Sequence, residues 1–175
     1  MLEGNLHQNM TKSKLDISKE TGNHGLIAQW EGEWEGMTKT WFEPNILADE
    51  SAMTATIKPM LNGMFMLLEY AGSLQEKKFS GFMIIGNHLL SNKFQSAWVD
   101  SFHMGTGIML SESKVGEKKF SVMGTYETGG ENSERWGWKT ELHLLDANTL
   151  MMTAYNVTPQ GEEAKATETI FSRKK

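Results

Sequence analysis

Asp100 lies in the alternating run Phe94, Ser96, Trp98, Asp100, Phe102. Side chains two positions apart share one face of a strand, so this run sets one carboxylate among aromatic rings. A carboxylate in that setting must be paired, hydrogen-bonded or protonated. Lys139 and Glu141 share a face of a later run, and Glu168 stands in the last one. If all four point to one interior, they bind a polar ligand head or work as a general acid/base pair. The competing reading is a structural ion pair, or charges turned to water. Glu69, in the third run, is a further candidate polar contact.

Other chemistry finds less support. Cysteine is absent, which excludes disulfides, thiolate metal sites and cysteine nucleophiles. His103 and His143 lie within or at the ends of expected strands, and His88 lies in a turn. No H-x-H, H-E-x-x-H or calcium-loop spacing occurs, so neither a metal site nor a cofactor is expected. No G-x-S-x-G marks a nucleophile. Gly105-Thr106-Gly107 lacks the third glycine and the following helix of a nucleotide-binding loop.

The elements that must position these groups are strands. From Trp30 onward, runs rich in Thr, Val, Ile, Met and aromatic residues alternate with clusters of Gly, Asn, Asp and Ser. The pattern predicts ten strands, at about 33–43, 51–60, 63–71, 77–87, 91–102, 105–112, 117–126, 134–145, 149–157 and 163–173. Leu61-Asn62-Gly63, Gly86-Asn87-His88, Asp146-Ala147-Asn148 and Pro159-Gln160-Gly161 have hairpin character. No later segment carries an apolar stripe of helical period. The expected fold is all-β: a closed antiparallel up-and-down β-barrel of about ten strands. Closure removes the exposed edges that a meander otherwise leaves. It also creates a lumen that a small ligand can enter.

Alternation proposes what lines that lumen. Met64, Met66, Met83, Phe94, Trp98 and Phe102 are the expected apolar contacts, and thirteen methionines make the walls adaptable. Seventeen basic against twenty-two acidic residues leave a net charge of −5, which argues against a nucleic-acid or anionic-membrane surface. No apolar run reaches the ~18–20 residues of a membrane span. Residues 1–25 are polar and read as a flexible or partly helical lead-in; residues 26–175 read as the barrel domain. The lead-in lacks the apolar segment of a signal peptide, so a cytoplasmic location is expected.

Gly32-Glu33-Trp34 near the first strand and Phe171-Ser172-Arg173 in the last resemble the calycin superfamily, which includes the lipocalins and fatty-acid-binding proteins. That resemblance implies that Trp34 closes one barrel end and that Arg173 packs across it. Five later segments together resemble an uncharacterised bacterial family, domain-of-unknown-function group 1579. They are Trp98-Val99-Asp100-Ser101, Thr106-Gly107-Ile108-Met109, Trp138-Lys139-Thr140-Glu141, Tyr155-Asn156-Val157-Thr158-Pro159 and Glu168-Thr169-Ile170-Phe171-Ser172-Arg173. Lys139 stands where that family more usually has arginine, which keeps the charge but loses the bidentate fork. Haem-binding relatives of this architecture need a late axial histidine, and the last strand here has none. The function expected is binding of a small hydrophobic or amphipathic ligand. The alternatives are an enzyme using lumen carboxylates, or self-association into a homo-oligomer through outward aromatics such as Trp41 and Trp136.

Overall fold

The computed structural model describes residues 12–103 and 105–175. The first eleven residues of the lead-in lie outside the described residues. Two short helices, α1 (Lys14–Thr21) and α2 (Asn23–Ala28), precede ten strands. These are β1 (Gly32–Glu43), β2 (Ile46–Met60), β3 (Phe65–Leu74), β4 (Lys77–His88), β5 (Lys93–Asp100), β6 (Met109–Glu112), β7 (Phe120–Glu127), β8 (Arg135–Asp146), β9 (Thr149–Val157) and β10 (Glu163–Arg173). Each strand pairs antiparallel with its sequence neighbours, and β10 returns to β1, so the expected all-β closed barrel forms.

Tight turns set the registers. Leu61, Asn62 and Gly63 all have positive φ between β2 and β3, a conformation that Asn and Gly tolerate. Between β3 and β4 the turn residues Gln75 and Glu76 are left-handed too, and the Asp49 carboxylate accepts the Gln75 N–H at 3.1 Å. Several boundaries differ from the sequence expectation. β2 begins at Ile46, β3 runs on to Leu74, β5 ends at Asp100, and β6 and β7 begin only at Met109 and Phe120. β6 is only four residues long and shares a single paired position with β7, Glu112 opposite Met123.

The two ends of the barrel differ. At the helical end an apolar plug fills the interior. Trp30 meets Phe120 edge-on at 5.5 Å, and Phe120 meets Phe94 at 5.6 Å. Ile27 of α2, Trp34 of β1 and Phe171 of β10 complete it without solvent contact. The α1 helix starts at a reciprocal cap, in which the Ser13 hydroxyl accepts the Asp16 N–H while Asp16 accepts the Ser13 N–H. Lys19 of α1 donates to the Asn62 carbonyl, and Asn23 donates to the Glu117 carbonyl, so both helices are tied to the turns of that end.

Arg173 seals the same end. Its guanidinium lies 4.1 Å from the centre of the Trp34 ring, an attraction of roughly 0.5–2 kcal/mol. It also donates to the carbonyls of Ala147 at 3.0 Å, Gln29 at 3.1 Å and Glu31. One side chain therefore joins the β8–β9 turn, the helical segment and β1. Gly36 lets β1 and β10 approach there, because a Cβ at Gly36 would overlap the Ile170 carbonyl. Arg173→Lys keeps the charge and loses the fork, so urea denaturation should show a loss of about 1–2 kcal/mol. Lys174→Ala, at an exposed position beside it, should change stability by less than about 0.5 kcal/mol.

Candidate ligand-binding site

The opposite end of the lumen holds a cavity of about 60 Å³. Two unlike walls face each other across it. Tyr70 of β3, Phe79 of β4, Trp98 of β5 and Trp138 of β8 form an aromatic wall. Thr38 and Thr40 of β1, Thr140 of β8 and Thr167 and Thr169 of β10 form a hydroxyl wall. Strand register makes the second wall: Thr38 opposes Thr169 and Thr40 opposes Thr167. The Thr38 and Thr169 hydroxyls meet at 2.8 Å. Met53, Met83 and Met152 fill the space between the walls.

Asp100 ends β5 beneath this cavity, and its carboxylate has no solvent contact. Oδ1 accepts the backbone N–H groups of Phe102 at 3.0 Å and His103 at 2.6 Å. Oδ2 accepts the Tyr70 hydroxyl at 3.2 Å and contacts His103 Nδ1. Tyr70 in turn accepts the Trp98 Nε1–H at 2.6 Å. Burial alone pushes the Asp100 carboxyl up. The hydrogen bond and charge of His103, with the two backbone N–H groups, more than offset this and hold it below the usual carboxylate range. Asp100 is therefore ionised, and His103 Nδ1 must be the donor between them. Burial, then the charge of Asp100, pushes the Tyr70 phenol far above its ordinary range, so it stays protonated.

Gly81 makes this cluster possible. A Cβ there would lie 2.5 Å from both the Asp100 Cβ and the Tyr70 oxygen. His103 sits in an aromatic frame: Phe102 at 4.9 Å, Phe79 at 5.6 Å, Trp98 at 5.8 Å and Trp138 at 6.5 Å between ring centres. Trp98 and Trp138 themselves stack at 5.8 Å with planes 14° apart.

Of the residues expected to line the lumen, Met83 and Trp98 border the cavity, and Asp100 supports it. Met66 and Phe94 are buried toward the plug and do not border the cavity. Phe102 is not on a strand face: it follows the end of β5 and packs on the rim, 43 % exposed. Met64 lies outside the barrel, in the turn before β3, beside a wider apolar depression of about 820 Å³ that also borders Phe65, Ile84 and Leu110.

The expected interior charge group does not assemble. In β8 it is Trp138 and Thr140 that border the lumen, so Lys139 and Glu141 point outward. Lys139 pairs there with Glu163 and with Glu141 at 3.5 Å, over the Tyr155 ring. Thr167 and Thr169 face in, so Glu168 faces out and pairs with Lys165 at 2.5 Å. Glu69 also faces out and pairs with Lys58 at 2.5 Å. The acid/base alternative needed two carboxylates converging on one point, and among the described residues Asp100 has no second carboxylate beside it at the cavity. Of the two aromatics expected to face outward, Trp41 does so and lies under the Lys165 ammonium at 5.7 Å, whereas Trp136 shares the inward parity of Trp138 at the end of β8 and donates to Glu134 at 3.3 Å.

Sequence reasoning missed Tyr70, Gly81, Trp138 and the threonine wall, and considered His103 only as a metal ligand. The Asp100-x-x-His103 spacing is visible in the sequence, but it gains meaning only once β5 ends at Asp100 and the chain turns back.

The Asp100 network predicts a pH-dependent stability. Its folded pKa lies below the unfolded value of about 3.9, so the contribution is complete above that value and disappears as pH falls through the folded one. Wild type should therefore exceed Asp100→Asn in urea stability at pH 7, and the gap should narrow and close as pH falls below about 4. Tyr70→Phe leaves the Trp98 indole N–H unpaired and should cost about 1–3 kcal/mol at pH 7.

Among the described residues, no helix is long and apolar enough to cross a membrane, and no cluster of three or more His, Asp or Glu could hold a metal ion. Comparison with curated proteins yields no match. Among solved structures, the S-type phycobiliprotein lyase CPES from Guillardia theta is similar, with a TM-score of 0.51 over 85 % of this chain and 90 % of that one. At 9 % identity the likeness is one of fold. A family model described as "Protein of unknown function (DUF1579)" matches residues 19–173, which is nearly the whole chain, and the protein belongs to that family.

Proposed function

We propose that this protein is a small-molecule-binding barrel of the calycin type, holding a hydrophobic or amphipathic ligand in its lumen. The observation that carries the reading is the asymmetry of that lumen. One end is filled by Trp30, Phe94, Phe120 and Ile27, and the other keeps free space between an aromatic and a hydroxyl wall. A barrel needing only stability would continue its apolar filling to both ends. Ligand sites elsewhere combine mostly apolar linings with a few placed polar groups, as this cavity does.

The cavity volume limits the ligand. About 60 Å³ lies well below the ~300–1,000 Å³ common for drug-sized ligands. The occupant is therefore small, or it enters by turning side chains aside. Met53, Met83 and Met152 border the space and are unbranched thioethers that change rotamer readily. The methionine content noted in the sequence then serves adaptability at the one place where it counts.

Tryptophan fluorescence offers a direct test, since Trp98 and Trp138 border the cavity. Titration with a panel of C6–C16 fatty acids and with aromatic acids and alcohols should give a saturable change for at least one class. Ala154→Leu fills the cavity from β9 and should weaken that binding at least tenfold, at a folding cost of about 1–3 kcal/mol. A flat response across the whole panel, or unchanged binding in Ala154→Leu, overturns the reading.

A further inference from the structure

The residues bordering the cavity include two ionisable side chains, Tyr70 and His103, and no lysine, arginine or carboxylate among the described residues. Tyr70 is committed between Trp98 and Asp100 and keeps its proton. His103 is the one ionisable group left to meet a ligand. Its Nδ1 is held by Asp100, so Nε2 is the ring's remaining polar atom, on the edge turned away from Asp100. The ring is 30 % exposed, in the loop that follows β5 at the open end.

The groups packed against this ring are one carboxylate and a set of neutral, mostly aromatic side chains. Asp100 supplies a fixed negative charge on the Nδ1 side, from the same loop. β3 presents Tyr70, which is neutral. β4 presents Phe79, β5 Trp98 and β8 Trp138, and Phe102 of the same loop meets the ring edge-to-face. Aromatic faces and edges of this kind accommodate a cation through their quadrupoles. With the ring protonated, the Asp100–His103 pair has no net charge but keeps its positive end, Nε2–H, outward.

On the reading that the lumen holds a ligand, we infer that His103, oriented by Asp100, recognises a carboxylate at the mouth of the barrel. The ligand's apolar part then lies deeper, against Leu68, Met83 and Met152. A carboxylate arrives ionised and brings no proton. The ring takes one from solvent, forming the Nε2–H bond, and Asp100 stays ionised throughout. A charge-assisted hydrogen bond then joins Nε2–H to the ligand. The ligand class is a small monocarboxylic acid with an aromatic or short aliphatic body.

Two probes that differ only at the head group test this: 3-phenylpropanoate and 3-phenylpropanol. Wild-type protein should bind the acid at least tenfold tighter than the alcohol. Calorimetry in buffers of different ionisation enthalpy should show proton uptake with the acid wherever nitrogen-15 NMR finds the free ring neutral. Nitrogen-15 NMR of the wild-type histidines should move His103 toward the imidazolium form on adding the acid, and should show no such change with the alcohol. His103→Phe should lower the acid-to-alcohol preference to about one. The NMR and calorimetric readouts need no variant, so they decide the matter even if His103→Phe fails to fold. Equal binding of the two probes, or acid binding by the neutral ring without proton uptake, overturns this inference and leaves the container reading standing. Absence of binding by both probes and by the wider panel overturns both.

Discussion

A sheet of ten strands has two edges, and each edge leaves a row of backbone N–H and C=O groups without partners. Pairing β10 with β1 removes both edges at once. That closure then dictates the rest. It makes one face of every strand interior, so the parity of each residue decides whether it meets the core or water. It brings Thr38 to Thr169 and Thr40 to Thr167, residues that the chain separates by most of its length. It also places Arg173 over Trp34, where a single guanidinium ties strand, turn and helical segment together.

The fold was legible because it rests on a period of two and on turn residues, and both are local properties. Strand phase was less legible wherever both faces look alike. In β10 the inward residues are Thr167 and Thr169, which carry polar groups as their outward neighbour Glu168 does. In β8, Trp136 and Trp138 share the side that faces in, while Lys139 and Glu141 look equally suited to an interior polar site. A hydroxyl-lined wall disguises an inner face as an outer one. The cluster at Asp100 was half visible. A carboxylate between aromatic residues announces that something must hold it, but its partner Tyr70 is on β3 and the space they share comes from Gly81 on β4. No local pattern joins these three. His103 depended on a loop beginning where the amino-acid pattern continued as strand.

The site concentrates its polar demands at one point. Asp100 is a buried charge, and every lone-pair direction it offers is answered by the protein: two backbone N–H groups, a phenol and an imidazole. This satisfies the general requirement that a buried ion be fully hydrogen-bonded or change its protonation. The arrangement also fixes the His103 ring in a single orientation. Rigidity at the ring contrasts with the methionines beside it, so the cavity combines one immobile polar contact with walls that yield.

The single paired position between β6 and β7 sets that part of the wall apart. Elsewhere each strand is held to its neighbours by a ladder, and separating any two breaks several hydrogen bonds together. Here one bridge and the surrounding side chains hold the wall, so parting these two strands breaks far less than parting any other pair. That stretch of wall is accordingly the one where local opening costs the fewest backbone hydrogen bonds, and it lies beside the outer apolar depression bordered by Leu110 and Met123.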